Sequence, residues 1–329
     1  MGKTREIQRR IKSIKSTKKI TRAMEMVAAA KMRKATEAVL KTRTYANLSW
    51  ITVLNLSKAA NINKSEHPLL ETHKKIDRVA MVLLASNRGL CGGYNSAVMQ
   101  KAHESIRKHQ FDGNKEVVPT DFIILGKKGM AIHSRYKYNI VAEFEKADVA
   151  SEVMEVVPVT DMIMSDYIAK KYDKVMIAFT DYISATKQQP RVKQLLPIDI
   201  GAEKDHYGIL GIDTRVGMDK DFLQAKEDKY LKDRPDESGK WKDNYLFAFE
   251  PSADEVLEKM LPRLIEIQLF QALLESNASE HSARMAAMHQ ANEAAGDLIS
   301  QLTLYYNKAR QAAITNEIAE ISAGAEALK

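Results

Sequence analysis

A glycine-rich turn is the first place where the sequence could bind a nucleotide. The run RGLCGG at residues 88–93 follows a short apolar stretch and precedes a helical pattern, which is where phosphate-binding loops lie. It matches neither of the common phosphate-loop patterns, GxGxxG and GxxxxGK followed by Ser or Thr. A tight turn alone explains the glycines, and a nucleotide-binding α/β enzyme remains only as an alternative.

A second candidate for chemistry is Cys91, the only cysteine in the sequence. A cysteine nucleophile needs a neighbouring base or cation, and the eight histidines are scattered without a motif. We therefore expect a buried or bystander thiol rather than a nucleophile. A single cysteine also excludes an internal disulfide framework and fits a reducing compartment. The sequence predicts no catalytic residue, no metal site and no cofactor.

Positive charge is concentrated near the start of the sequence. The net charge of +7 arises from residues 3–43, where 14 Lys/Arg face three Glu. A basic helix can bind nucleic-acid phosphates, but the first aromatic residue is Tyr45, so nothing in this segment can stack on bases. A protein partner lined with carboxylates is the better interpretation, and a nucleic-acid-binding coiled coil is the alternative.

Charged pairs near the end of the sequence are expected on solvated helix faces. Glu280 and Arg284 have i, i+4 spacing, which predicts an exposed pair that stabilises a helix by about 0.3–0.5 kcal/mol. Arg310 and Gln311 are likewise expected to be solvated.

Glycine and proline are distributed so that two very long helices are possible. Residues 3–67 contain neither, and after residue 262 there is no proline and only two glycines. Helices of about 80 Å and 105 Å follow, and such lengths need support along the helix. Antiparallel packing of the two is the simplest support. It leaves a C-terminal overhang of about 25 Å.

Apolar residues in both segments recur with the heptad spacing of a coiled-coil seam. The seam residues of the first segment are Ile7, Ile11, Ile14, Ala28, Met32, Ala35, Val39 and Ala46. Those of the last are Met285, Met288, Ala295, Ile299, Leu302, Tyr306, Ala309 and Ala313. Ser252 with Glu255 predicts a capping box at the start of the second helix, and Pro262 predicts a kink.

Two apolar surfaces lie outside this seam. Ile314, Ile318 and Ile321 share one face of the overhang, and an apolar face in water is unfavourable, so we expect an external sleeve that receives it. Around residues 18–25 the seam positions become polar, and apolar residues move to Ile20, Met24 and Val27. Either a second partner covers that side or the supercoil drifts there. The sequence leaves both interpretations open.

The middle of the sequence alternates strands and helices. Strands are predicted at 78–85, 121–125, 139–144 and 174–179, with helices from about residues 94 and 153, which indicates a mostly parallel, Rossmann-like α/β sheet. The predicted divisions are an N-terminal coiled-coil helix at 1–60, a central α/β domain at 61–250 and a C-terminal coiled-coil helix at 251–329. Residues 201–244 are charged and read as a surface insertion.

Targeting signals and membrane spans are not expected. No stretch reaches the roughly 20 apolar residues that a membrane span needs. The basic first residues are not followed by the apolar run of a secretory signal.

Five sequence runs resemble the gamma subunits of the F-type ATP synthase. They are KITRAMEMVAA with KMRK at 19–34, RGLCGG at 88–93, SEHSARMAAM at 279–288, YNKARQAAIT at 306–315, and ITxExxExxxGA at 314–325. They occur in the family's order at both ends and in the middle, so the resemblance covers nearly the whole sequence. The 201–244 insertion is several tens of residues longer than the family pattern.

The resemblance implies a fold and a role. The terminal helices would form an asymmetric coiled coil inside a ring of three alpha and three beta subunits. The α/β domain would sit below with the epsilon subunit on the membrane c-ring. Proton (hydrogen ion) transport would drive rotation and ATP synthesis at the beta sites, with no active site on this chain and no nucleic acid. The complex would be peripheral on the cytoplasmic face of a bacterial cell membrane.

The resemblance also implies which residues meet the stator ring. Met24 would face the beta lever, which is rich in carboxylates, and the apolar tip formed by Ile314, Ile318 and Ile321 would turn in the ring's bearing. The remaining contacts implied by the matching motifs are Glu280, Arg284, Arg310, Gln311, Thr315 and Glu317.

Overall fold

The computed structural model describes residues 2–59, 67–71, 73, 75–111, 118–149, 152–198 and 252–327. The predicted insertion at 201–244 lies outside the described residues, as do the predicted boundaries near residues 61 and 251.

Two helices far longer than the rest form a shaft. Helix α1 is Gly2–Ala59, with 58 residues, and the last helix, α5, is Ala253–Ala327, with 75 residues. At 1.5 Å per residue they span about 87 Å and 112 Å. The predicted cap of α5 is present in part, because the Glu255 amide donates to Ser252 Oγ over 3.2 Å. Pro262 lies inside α5 without ending it.

The two long helices run antiparallel in a defined register. Thr42 Oγ1 donates to Gln271 Oε1 over 2.8 Å, and His289 Nδ1 contacts Glu25 Oε1 over 3.1 Å. The residue numbers of these pairs add up to 313 and 314, so the start of α1 lies level with about residue 312. Helix α5 therefore extends about 15 residues, or about 22 Å, beyond α1. This confirms the predicted antiparallel shaft and its overhang.

The heptad residues occupy the seam between the two helices. The most deeply buried are Ala28, Ala35, Val39, Ala46, Met288 and Ala295. The other predicted seam residues are buried or half-buried. Periodicity alone therefore placed the seam correctly.

A five-stranded sheet forms the globular part. Its strands are β1 (Val79–Leu84), β2 (Thr120–Leu125), β3 (Asn139–Phe144), β4 (Lys174–Tyr182) and β5 (Gln188–Leu196). Their order is β3-β2-β1-β4-β5, with the first four parallel and β5 antiparallel to β4. The mostly parallel sheet was predicted from the sequence.

Helices cover both faces of the sheet. One face packs on α2 (Tyr94–Phe111) and α3 (Ala131–Tyr136). The other packs on α4 (Val157–Ile168) and on the shaft helices. Because both faces are covered, the central strands are apolar almost throughout, as expected for parallel strands.

Two details of the prediction were wrong. The helix expected from about residue 153 is instead a short 3₁₀ turn, Val153–Glu155, followed by α4, since Pro158 fits the first turn of a new helix. Strand β5 was not predicted, because Gln, Pro, Arg and Lys interrupt its apolar pattern. It is an edge strand, where such residues are tolerated.

Candidate functional site

The tip of α5 carries apolar side chains that the described part of the chain does not cover. Ile314, Ile318 and Ile321 are 48%, 60% and 67% exposed. They begin where α5 passes the start of α1, so α1 provides no surface to bury them. Isolated exposed apolar residues are common, but a continuous stripe indicates a surface that another molecule covers.

The predicted polar contact residues of the tip share this environment. Arg310, Gln311, Thr315 and Glu317 are all exposed on α5. The Thr315 hydroxyl donates to the Gln311 carbonyl of its own helix over 3.0 Å. The structure thus brings these residues together with the isoleucine stripe on one projecting segment.

The side of α1 that the sequence left ambiguous faces away from the seam. Ile20 and Val27 are more than half exposed, and Met24 is half-buried. The polar residues at the seam positions remain between the two helices, as shown by the contact of Glu25 on α1 with His289 on α5. Supercoil drift would have turned Ile20 and Val27 into the seam, so that interpretation is wrong for these two residues.

The base of α5 is embedded in the globular part. Every residue from 267 to 282 is buried. Ser276, Ser279 and Ser282 form one polar row at three-residue spacing, directed at the β4–β5 hairpin. Ser279 Oγ donates to the Thr180 carbonyl over 3.1 Å, and Ser282 Oγ donates to the Ala185 carbonyl over 2.5 Å.

A second polar row of α5 meets the segment that follows β3. Asn277 Nδ2 donates to the carbonyl of Ala147 over 3.2 Å, and His281 Nε2 lies 2.6 Å from the carbonyl of Asp148. Burial lowers the pKa of His281, which favours a neutral ring that donates through Nε2–H. This row therefore binds the backbone of the globular part directly.

An ion pair is buried in the same place. Lys146 and Glu280 are each 3% exposed, and Lys146 Nζ donates to Glu280 Oε2. The other carboxylate oxygen, Oε1, lies 2.9 Å from Arg284 Nη2. The expected exposed Glu280–Arg284 pair is thus wrong: Glu280 is buried, because a lysine 134 residues away in sequence covers it.

The charges in this pair stabilise each other. Burial alone would raise the pKa of Glu280, but Lys146 and Arg284 outweigh it and lower the pKa. Burial alone would lower the pKa of Lys146, but Tyr94 and Glu280 outweigh it and raise the pKa. Both groups are therefore ionised at neutral pH.

Side chains of the protein bond the glycine turn at 88–93 and the residues beside it. Asn95 Nδ2 donates to Ser86 Oγ over 2.7 Å, and Arg284 Nη2 donates to the carbonyl of Arg88 over 3.2 Å. Cys91 is buried beside Ser86 and Asn95, neither of which is a base. The buried thiol was predicted, and the turn serves to join the sheet to the shaft.

Sequence reasoning missed Lys146 and the serine row. Nothing near Lys146 in the sequence distinguishes it from a surface lysine. The serines at i, i+3 and i+6 in a helix stretch with few charges were a usable signal for a buried polar face. Among the described residues, no group of three or more His, Cys, Asp or Glu is placed to hold a metal ion. Among the helices that the structure describes, none has the length and apolar character needed to cross a bilayer.

Comparison with known proteins gives one consistent family. A family model described as ATP synthase matches residues 3–328. The ATP synthase gamma chain of Herpetosiphon aurantiacus is 38% identical, over 100% of this chain and 99% of its own. The gamma chains of Coxiella burnetii and Legionella pneumophila are 38% and 35% identical, each over 100% of both chains.

Solved structures share the fold. A chain of the Euglena gracilis mitochondrial ATP synthase, in a structure of OSCP, F1 and c-ring, has a TM-score of 0.59 at 16% identity. It covers 99% of this chain and 95% of its own. A chain of the Euglena rotor has a TM-score of 0.56 at 18% identity, over 95% of this chain and 99% of its own. From the family match and its full-length relatives, this chain belongs to the gamma subunits of the F-type ATP synthase, the non-catalytic central-stalk subunits of that enzyme.

Proposed function

We propose that this chain is the rotating shaft that couples proton flow to ATP synthesis and hydrolysis at sites on other subunits. The helices 1–60 and 251–329 would form the shaft, and residues 61–250 would form the part that rides on the membrane rotor. The observation that carries the proposal is the apolar tip, Ile314, Ile318 and Ile321, which projects beyond α1.

A rotating tip needs a bearing without strong directional bonds. Apolar contact is non-directional, so a sleeve of apolar side chains could hold the isoleucine stripe while the shaft turns. A hydrogen-bonded or ion-paired socket would instead favour one orientation. The chemistry of this tip therefore supports a turning contact inside a ring of alpha and beta subunits.

The shaft must also act differently on the sites around it. A partner changes an equilibrium only through contacts that differ between states. Helix α1 presents Ile20 and Val27 on a side away from the seam, each more than half exposed, among many basic residues. One side of the shaft is thus apolar and positive, and a carboxylate-lined lever of a beta subunit fits it, with Met24 at the edge of the contact.

Contacts at the upper shaft must form and break at each step. Arg310, Gln311, Thr315 and Glu317 are exposed, and exposed charge pairs contribute only about 0–1 kcal/mol each. Weak, solvated contacts of this kind suit a stepping interface. We place these four residues in the ring contact.

Glu280 and Arg284 act together lower on the shaft. Both carboxylate oxygens of Glu280 are engaged within the chain, so its part in a ring contact is to orient Arg284. The Arg284 guanidinium in turn reaches the Arg88 carbonyl, beside the exposed Leu90. We propose that this corner faces the ring through Arg284.

The globular part would contact the epsilon subunit and the membrane c-ring. Association with the membrane would then occur only through the complex, on the cytoplasmic face of a bacterial cell. The family relationship and the full-length match to bacterial gamma chains support this placement.

Co-purification tests the proposal. A tag on this chain should recover alpha and beta subunits with ATPase activity. The triple variant Ile314→Ser, Ile318→Ser and Ile321→Ser should recover at least about tenfold less ring, since burial of each isoleucine contributes about 1.5–3 kcal/mol. The pull-down and the ATPase assay are the measurements.

A matched control uses exposed apolar residues elsewhere. Met154→Ser and Ile168→Ser alter side chains that are 67% and 54% exposed on the globular part, and recovery of the ring should stay as in the wild type. If the triple tip variant recovered as much ring as the wild type, the bearing would be refuted. A tagged wild-type chain that recovers no nucleotide-hydrolysing partner would refute the function.

A further inference from the structure

Three consecutive residues after β3, Lys146, Ala147 and Asp148, are bonded to α1, to α5 and to Asn87. The backbone carbonyl of Lys146 accepts from Asn87 Nδ2 over 2.5 Å. The next two carbonyls accept from α5, as described above. All three consecutive carbonyls are therefore bonded by side chains, which is unusual for a loop.

The side chains of the same segment bind both shaft helices. Lys146 Nζ donates to Glu280 of α5, and Lys31 Nζ of α1 donates to Asp148 Oδ2 over 2.6 Å. The hydrogen bond from Lys31 lowers the pKa of Asp148, so this pair is ionised at neutral pH. One short segment thus connects α1, α5 and Asn87, the residue before the glycine turn.

Packing of α5 against the sheet is mostly apolar, apart from the serine row that bonds the β4–β5 hairpin. Hydrophobic burial is non-directional, and a helix in an apolar socket meets little resistance to small rotations about its own axis. Hydrogen bonds lose strength steeply when they bend below about 120°, so a set of bonds on one side of the helix resists such rotation. The 146–148 segment supplies these bonds on the side of α5 that carries Asn277, Glu280 and His281.

We propose that residues 146–148 are a rotational lock, through which torque passes between the shaft and the globular part. Lys146, Asp148 and their partners Lys31 and Glu280 are positioning residues in this role. The inference rests on the proposed function, since torque passes only if the chain rotates.

Torsional stiffness is the property to measure. The ring is immobilised with turnover stalled by a non-hydrolysable nucleotide, and a gold rod is attached to α2 through Lys101→Cys. Cys91 is 2% exposed and should not label. The angular variance of the rod then reports the stiffness of the path from shaft to globular part.

Two lock variants and one rescue test whether these ion pairs stiffen the connection. Lys31→Asp places two acids together and Lys146→Met removes the buried cation. Each should raise the angular variance above the wild-type value, because one of several parallel connections is lost. The swap Lys31→Asp with Asp148→Lys restores opposite charges and should return the variance to the wild-type value, which identifies this ion pair as the source of the change.

A charge reversal elsewhere provides the control. Lys259→Glu breaks the exposed pair with Glu255, which lies within α5 alone, and should leave the variance unchanged. Wild-type variance in both Lys31→Asp and Lys146→Met would overturn the lock. A wild-type complex in which ATP causes no rotation would overturn the proposed function itself, and a preliminary rotation assay distinguishes the two failures.

Discussion

The two ends of α5 reverse the usual distribution of side chains. At the base, Ser276, Glu280 and His281 are buried, whereas at the tip Ile318 and Ile321 are exposed. Buried polar groups and exposed apolar stripes are the informative departures from the general rule. At the base, the chain satisfies its own polar groups, and at the tip it leaves apolar surface for another molecule.

The contrast indicates that the two ends of α5 have different roles: the base attaches the helix to the globular part, and the tip contacts a partner. The base is fixed by directional bonds to the globular part, and we propose that the tip is free to turn in a partner. A single helix can do both because its register with α1 ends about 15 residues before its own end. Substitutions at the base should therefore affect the stability of the isolated chain, and substitutions at the tip should not.

The largest effect is expected from the buried ion pair. Lys146→Met leaves Glu280 buried without its main counter-ion and should lower the free energy of unfolding by about 3–5 kcal/mol. Denaturant unfolding of the isolated chain measures it. Lys31→Met removes a partly exposed pair with Asp148 and should cost less than about 1 kcal/mol. Equal losses in the two variants would contradict the burial argument.

Truncation of an apolar side chain to alanine should lower the free energy of unfolding at the base of α5 but not at its tip. Leu269 is fully buried, and Leu269→Ala should cost about 2–5 kcal/mol through lost burial and a cavity. Ile318→Ala at the tip should change the free energy of unfolding by less than about 0.5 kcal/mol. Thermal or chemical unfolding of both variants checks this, and a large loss with Ile318→Ala would mean that the tip packs within the chain.

The stability difference between wild type and Lys146→Met should depend on pH. The pKa of Glu280 lies below its ordinary value of 4.5, so its contribution is present above that pH and is lost as pH falls through the folded-state pKa. The pKa of Lys146 lies above 10.5, so its contribution is present below that pH and is lost at higher pH. Unfolding is measured at a series of pH values for both proteins. The difference in their free energies of unfolding should be constant between about pH 4.5 and 10.5 and should decrease at lower and at higher pH. A difference that grows in acid would contradict this assignment.

The smallest effect concerns two hydroxyls of α5. Ser279→Ala removes the bond to the Thr180 carbonyl and should cost about 1 kcal/mol. Thr315→Ala at the tip removes only a bond within its own helix and should be neutral or slightly stabilising, because alanine is the better helix former. Matched unfolding curves test the pair, and a loss with Thr315→Ala as large as that with Ser279→Ala would count against the contrast.

The shaft could be predicted from sequence because its determinants are local and periodic. Heptad spacing at Ala28, Ala35 and Met288 identified the seam, and the absence of proline after residue 262 permitted the length of α5. The parallel strands were predicted because burial on both faces makes them continuously apolar. These signals are contained in short windows of sequence.

The junction could not be predicted because its contacts join distant positions. The burial of Glu280 depends on Lys146, and the lock depends on Asp148 meeting Lys31 from another element. A pattern within one helix cannot show which of its polar residues will face such partners. The residues Arg310, Gln311, Thr315 and Glu317 were found by resemblance, and their contact with a ring stays a prediction.

Rotation of the globular part tests the central claim most directly. With the alpha and beta ring immobilised and a rod attached through Lys101→Cys, addition of ATP should turn the rod continuously in one direction. Wild-type rotation that is abolished by deletion of the tip from residue 313 onward is the expected result. ATP hydrolysis by the assembled ring with a stationary rod would contradict the account of this chain as a shaft.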